Sequence, residues 1–192
     1  MTKFELIEES IAVLPEYGRI SIAFKVQSVL QIEFIDSGLR GFHLTEKSIE
    51  PAWIKDYDAY PGQKPEQWAK QWDISNWQVI SAFIKGSRIG GCVIAFNTPG
   101  VDMLEGRSDI AVLWDLRVGP EYRQQGLGSR LVEAAIAWAK NRHCLLLKIE
   151  TQNINVPACR LYAKLGFTLS AVNRRAYPEL PDEVQLIWIK EL

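Results

Sequence analysis

Cysteine is scarce in this 192-residue chain, and the few cysteines present are not arranged for bonding. Cys92, Cys144 and Cys159 are an odd set without the CxxC spacing of zinc and redox motifs. Their apolar surroundings favour buried free thiols in a reducing compartment over a disulfide framework. We therefore expect a cytoplasmic protein that holds no metal ion.

Excess charge and long apolar runs are also missing. Basic residues number 22 and acidic residues 23, so the net charge of −1 gives no reason to expect nucleic acid or a membrane surface as a partner. No apolar run approaches the length of a membrane span, and the first residues do not resemble a secretory signal. Because no repeat or low-complexity linker divides the chain, we expect one domain over residues 1–192.

What is present in the C-terminal two thirds is an alternation of strand and helix patterns. The stretch WQVISAFIKGSRIGGCVIAFN predicts a hairpin that turns at Lys85-Gly86-Ser87-Arg88, and IAVLWDLRV predicts a central strand over Ile110–Val118. Apolar residues keep helical spacing from Leu127 to Asn141. A strand is expected next at LLLKIE, then a helix in VPACRLYAKLGF and a last strand at EVQLIWIK. This order is typical of an α/β fold.

The N-terminal third is less regular. Period-two alternation in RISIAFKV predicts a strand over Arg19–Val26, and KPEQWAKQW predicts a short amphipathic helix that begins near Pro65. Between residues 31 and 61, only strand-like pieces stand out, at QIEFI and GFHL.

Two glycines lie in the connection between the central strand and the helix after it. The loop Arg123-Gln124-Gln125-Gly126-Leu127-Gly128 opens that helix, whose first N–H groups are unpaired and carry the positive end of the helix dipole. Glycine lets a phosphate approach such a backbone closely. Two nucleotide-binding motifs are disfavoured, because Leu131 stands where the third glycine of a dinucleotide fingerprint belongs and no P-loop lysine is present. The loop indicates either a phosphate site or a plain strand-to-helix turn.

Two motifs in register carry a family resemblance. Arg123-x-x-Gly126-x-Gly128 resembles the acetyl-coenzyme A pyrophosphate loop of the GNAT superfamily of N-acetyltransferases, and the segment from Asn155 to Phe167 resembles its second signature. ETQNINVPACRLYAKLGF and the ending DEVQLIWIK are further similar to streptothricin acetyltransferases, which acetylate a cationic antibiotic. The resemblance covers residues 75–175. It implies a mixed central sheet with helices on both faces, and acetyl-CoA bound at a splayed pair of central strands.

The resemblance also implies roles for individual residues. Tyr162 would be the general acid that protonates the leaving CoA thiolate, although a core tyrosine would show the same helical spacing. The residues expected to bind acetyl-CoA are Leu116, Val118, Arg123, Gln124, Gln125, Gly126, Leu127, Gly128, Ser129 and Asn155. Leu116 and Val118 would act through their main chains, and Asn155 could equally be a helix N-cap.

An acid in the middle of the central strand is the candidate base or amine anchor. Alternation predicts that Leu113, Asp115 and Arg117 share one face of the strand, opposite Trp114, Leu116 and Val118. A structural ion pair between Asp115 and Arg117 is the alternative to a catalytic role. Glu150 is a second candidate acid, and a water relay remains open as the base.

The expected reaction is direct transfer of the acetyl group to a primary amine of a small molecule, such as a cationic antibiotic, because no cysteine has the setting of a nucleophile. A pocket for this acceptor, or simply a core, would explain the aromatic and acidic residues Trp53, Tyr57, Tyr60, Trp68, Trp72, Trp77, Asp56, Asp58 and Asp73. The alternatives are a protein or peptide acceptor, an acyl-CoA-binding module without turnover, and an unrelated fold that mimics the loop. A homodimer formed through the last strand is a further hypothesis.

Overall fold

The structure is a computed structural model that describes residues 4–192. The strands are β1 (Glu5–Glu9), β2 (Phe24–Phe34), β3 (Phe42–Lys55), β4 (Gln78–Ile84), β5 (Ser87–Phe96), β6 (Ile110–Val118), β7 (Leu146–Gln152), β8 (Thr168–Asn173) and β9 (Gln185–Glu191). The α-helices are α1 (Leu14–Tyr17), α2 (Leu127–Asn141) and α3 (Val156–Lys164). The chain divides into two compact units, described in turn.

The first unit takes residues 4–22, 56–149 and 189–192. Its strands lie in the order β1-β4-β5-β6-β7, antiparallel except for the parallel pair β6 and β7. The turn between β4 and β5 places Lys85 and Gly86 at φ values of 49° and 79°, as a tight hairpin turn requires. The predicted hairpin and the predicted bounds of β6 and α2 are therefore confirmed.

Helices cover both faces of this sheet. A Cβ on Gly91 would lie 2.9 Å from the ring of Tyr17, at the end of α1, while the neighbouring Cys92 thiol contacts the Leu131 carbonyl of α2. Because successive strand residues point to opposite faces, α1 and α2 lie on opposite sides. The buried side of α2 is formed by Leu127, Leu131, Val132, Ala135, Trp138 and Ala139. The predicted α/β class, a mixed sheet flanked by helices, is confirmed.

The second unit takes residues 23–55 and 150–188. Strands β2 and β3 form a separate two-stranded antiparallel sheet, while in the rest of the unit β9 lies between β7 and β8. Helix α3 follows β7 and ends before Gly166, whose φ is 77°, as predicted from the glycine.

Two N-terminal predictions need correction. The strand expected over Arg19–Val26 begins only at Phe24, because the chain leaves α1 through a turn in which the Ile20 N–H donates to the Tyr17 carbonyl. The segment at Pro65–Lys70 is a short 3-10 helix. The part of the chain that the structure describes contains no helix with both the length and the apolar character needed to cross a membrane.

Candidate functional site

The loop before α2 gives that helix a glycine as its N-cap. Gly126 is the N-cap of α2, with a left-handed φ of 87° that favours glycine, and none of the described side chains caps this helix start. The first turn of α2 carries no acid. Unpaired N–H groups and the positive end of the helix dipole therefore coincide at Leu127, Gly128 and Ser129.

Arg123 braces the loop through backbone contacts. Its Nε donates to the Val118 carbonyl at 3.0 Å, and its Nη2 donates to the Ser21 carbonyl at 3.2 Å. Burial lowers the pKa of Arg123, only partly offset by the charge of Glu121. Gln125 adds a second brace, because its side-chain amide donates to the Glu121 carbonyl at 2.8 Å. These contacts fix the loop against the end of β6.

Strand β6 pairs with β5 on one side and with β7 on the other. Within the first unit, the parallel pairing runs from Ile110 to Leu113 on β6, where Leu113 lies opposite Ile149, and the antiparallel pairing with β5 runs to Val118. On the β5 side, a Cβ at Gly90 would lie 2.8 Å from the Arg117 carbonyl, so only glycine permits this approach. Strand β5 therefore stays paired with β6 up to the loop that precedes α2.

A β-bulge changes which side chains of β6 share a face. Asp115 lies opposite Val93 and Leu113 lies opposite Ile94, which leaves Trp114 as an extra residue. The predicted alternation is therefore wrong at this point. Trp114 packs against the core cluster that contains Tyr17, on the α1 side of the sheet. The neighbouring Asp115 accepts a hydrogen bond from Tyr17 and therefore lies on the same side.

Asp115 belongs to a buried network centred on Arg117. The guanidinium makes five hydrogen bonds, one for each of its N–H groups: to both Asp115 oxygens at 2.9 and 3.1 Å, to both Asp58 oxygens at 2.6 and 2.8 Å, and to the Ile20 carbonyl at 3.1 Å. The Tyr17 hydroxyl donates to Asp115 as well. The side chain of Arg117 is 0% exposed. The ion-pair alternative for Asp115 is thus present in the structure, with Asp58 as an additional partner.

Neighbouring charges and burial shift the pKa values of Arg117 and Tyr17. Burial works against the charge of Arg117, but the adjacent Asp115 and Asp58 carboxylates raise its pKa. Burial, together with the charge of Asp115, raises the pKa of Tyr17 well above its usual value, so the phenol stays a donor. Two carboxylates around one guanidinium leave one negative charge in excess.

The aromatic residues of the first unit are divided between core and surface. Trp68 and Trp77 are 3% and 5% exposed and pack with Trp114, so for these two the core interpretation holds. Tyr57 and Tyr60 flank the short segment that carries Asp58, with ring centroids 6.4 Å apart. Tyr60 is among the exposed large side chains.

In the second unit, Asn155 and Tyr162 lie at the two ends of α3. The Asn155 carboxamide oxygen accepts from the Ala158 N–H at 3.3 Å, so it caps the helix. Tyr162 is 5% exposed, and its ring lies between Phe167 and Trp188, at centroid distances of 6.0 and 6.4 Å. The buried Nε1 of Trp188 has no hydrogen-bond partner within residues 4–192. A buried donor of this kind marks a place where a bound molecule can supply the acceptor.

Glu150, the second candidate acid, belongs to a different set of contacts. Its Oε1 accepts from the Tyr177 hydroxyl at 2.6 Å, and its Oε2 accepts from the Gln185 amide at 2.8 Å. Sequence reasoning did not identify Tyr177, Gln185, Tyr17 or Asp58 as partners. No sequence spacing could have done so, since Asp58 and Arg117 are 59 residues apart.

Comparisons with known proteins define the class. The model of the acetyltransferase (GNAT) family matches residues 42–167, and the chain belongs to this family. It is an acetyl-CoA-dependent N-acetyltransferase, with acetyl-CoA as its co-substrate.

Particular relatives fall mainly in one group. Streptothricin acetyltransferase A of Bacillus subtilis is 34% identical over 108 residues, which are 55% of this chain and 57% of that protein. Streptothricin acetyltransferase of Escherichia coli is 28% identical over 185 residues, 93% of each chain. The ribosomal protein bS18-alanine N-acetyltransferase of E. coli is 37% identical over 70 residues, 36% of this chain and 47% of that protein.

The fold is also that of a solved relative. A Bacillus anthracis protein described as a streptothricin acetyltransferase, solved in complex with acetyl coenzyme A, superposes with a TM-score of 0.76 at 24% identity. The match covers 99% of this chain and 100% of that one.

Proposed function

We propose that this single-domain enzyme transfers the acetyl group of acetyl-CoA directly to a primary amine of a cationic small molecule of the streptothricin type. The observation that carries the proposal is the extent of similarity to the streptothricin acetyltransferase of E. coli, which spans 93% of both chains. Similarity to the protein-acetylating relative stops at 70 residues. The chain thus shares a longer segment with the streptothricin acetyltransferase than with the ribosomal protein acetyltransferase.

The loop geometry supports a role in holding the CoA pyrophosphate. Leu127, Gly128 and Ser129 present the uncapped N–H groups of α2, and Gly126 gives the loop its left-handed turn. Arg123, Gln124 and Gln125 form the rest of the loop. In this proposal, Arg123 acts mainly by bracing the loop, since two backbone carbonyls already accept from its guanidinium.

The chemistry needs a neutral amine, a stabilised oxyanion and a protonated leaving group. Leu116 and Val118 are assigned main-chain binding of the pantetheine arm and the thioester oxygen, supported by their place at the end of β6 next to the loop before α2. Asn155 is assigned to the same arm in addition to its cap. Tyr162 is the proposed acid for the departing thiolate, supported by its burial beside the unpartnered Trp188 N–H.

Two acids are available for the incoming amine. Asp115 shares Arg117 with Asp58, so we assign Asp115 the role of maintaining negative charge and geometry at the bulge. Glu150 accepts from neutral donors only, which suits direct contact with a cation. The three free, buried cysteines support a cytoplasmic location and argue against a thioester intermediate on the enzyme.

The test is release of free CoA thiol from acetyl-CoA with a panel of amines: streptothricin, an aminoglycoside, a polyamine, a lysine peptide and a peptide that begins with alanine. We expect release with streptothricin and little with the peptides. Release with the alanine peptide alone would replace the proposal with protein N-terminal acetylation. Tyr162→Phe is the control for enzymatic turnover.

A further inference from the structure

The acids of the second unit differ in how their charges are balanced. Glu183 forms a buried ion pair with Lys55, and Glu46 forms an ion pair with Arg160. Of the acids in this unit, only Glu150 is partly buried and yet has no Lys, Arg or His within ion-pair distance among the described residues. A carboxylate without a cation beside it is available to pair with a cationic ligand.

Two neutral donors fix the direction of that carboxylate. The Tyr177 hydroxyl binds Oε1 and the Gln185 amide binds Oε2, so each oxygen keeps an acceptor position for another donor. Gln152 donates to the Tyr177 oxygen at 2.9 Å and so orients the phenol toward Glu150. Burial, with the charge of Glu150, raises the pKa of Tyr177, which keeps the phenol protonated as a donor.

The segment that carries Tyr177 is itself held in place. It lies in the connection between β8 and β9, where the Leu180 N–H donates to the Tyr177 carbonyl. At the end of this connection, Val184 exchanges two hydrogen bonds with Asn153, one of them to its side chain. A braced donor costs little further ordering when the carboxylate binds a ligand.

We propose that Tyr177 and Gln185 are positioning residues that hold Glu150 ready to bind a cationic group of the acceptor. This inference rests on the proposed function, since it assigns the acceptor's charge to a named carboxylate. Tyr177 and Gln185 act through Glu150 and do not touch the reacting atoms. They therefore contribute to binding of the acceptor and not to binding of acetyl-CoA.

The test compares Tyr177→Phe and Gln185→Met with the native enzyme under steady-state turnover of acetyl-CoA and streptothricin. We expect kcat/KM for streptothricin to fall roughly 10- to 100-fold in Tyr177→Phe, as for loss of a hydrogen bond to a charged group. The KM for acetyl-CoA should stay within about twofold of the native value, because the change is confined to the Glu150 carboxylate, which binds the acceptor.

A second background separates positioning from a structural effect. In the Glu150→Gln background, adding Tyr177→Phe should lower kcat/KM for streptothricin by less than about twofold, because the group through which Tyr177 acts is already altered. Glu179→Gln, which removes an exposed acid from the same connection, is the matched control and should behave like native protein.

Three results would overturn the inference alone, provided that the native enzyme acetylates streptothricin. These are an unchanged kcat/KM in Tyr177→Phe, a loss that persists undiminished in Glu150→Gln, and a parallel rise in the KM for acetyl-CoA. Silence of the native enzyme with every amine of the panel would instead overturn the proposed function itself.

Discussion

Arg117 is the side chain whose removal should perturb this protein most. Its five N–H groups donate to two carboxylates and one carbonyl, of which Asp58 is partly buried and the others are buried. Arg117→Met keeps much of the side-chain length but leaves Asp115 and Asp58 without a cation. Breaking a buried ion pair from one side typically costs about 3–5 kcal/mol of unfolding free energy.

For a chain of this size, each kcal/mol corresponds to about 2–4 °C in the midpoint of thermal unfolding. We therefore expect the Tm of Arg117→Met to fall by roughly 6–20 °C at neutral pH, measured by circular dichroism. The Tm of Arg117→Lys should lie between those of the native protein and Arg117→Met, because an ammonium has three donors and cannot form two bidentate contacts. Arg107→Met, which removes an exposed ion pair with Asp109, is the matched control and should leave Tm unchanged.

The result that would refute this account of the network is a Tm of Arg117→Met within about 2 °C of the native value at neutral pH.

Three further predictions concern the loop, the proposed acid and the thiols. Gly126→Ala places a side chain at a φ of 87°, so we expect acetyl-CoA to bind roughly tenfold more weakly by calorimetry; unchanged binding would contradict the loop's role. Tyr162→Phe should lower kcat by about 10²-fold or more while the Kd for acetyl-CoA is unaltered, and a fully active variant would exclude the proton-donor role. Burial raises the pKa of Cys92, of Cys144 and of Cys159, the last to about 12, so a thiolate-selective reagent should modify none of them before unfolding and all three in denaturant. Rapid labelling of native protein would show that the thiols are accessible.

The sequence predicted best where local pattern and tertiary structure agree. Strand β6 and helix α2 have the predicted bounds because the apolar spacing and the glycine loop before α2 are local signals. The bulge at Trp114 carries no such signal, since every residue from Ile110 to Leu116 except Asp115 is apolar and fits either register. The alternation pattern therefore could not predict on which face of the sheet Asp115 lies.

Contacts between distant segments were equally out of reach. Tyr17 and Asp115 lie 98 residues apart, and Glu150 and Gln185 lie 35 apart. Their meeting depends on how helices and connections pack onto the strands, which one sequence does not specify by spacing. The strand expected from Arg19 failed for a related reason, because the alternating Ile20 is buried in a turn under Arg117 rather than in a ladder.

The start of α2 connects ligand supply to the lifetime of the protein. An anion bound at a helix start without a side-chain cap accepts from its free N–H groups, so binding favours the folded state by mass action. At a free ligand concentration 100 times the Kd, this linkage adds about 2.7 kcal/mol to stability. A cell rich in acetyl-CoA would therefore keep more of this enzyme folded and protected from proteolysis than a starved one, so that abundance of the enzyme would follow the metabolic state without any change in its synthesis.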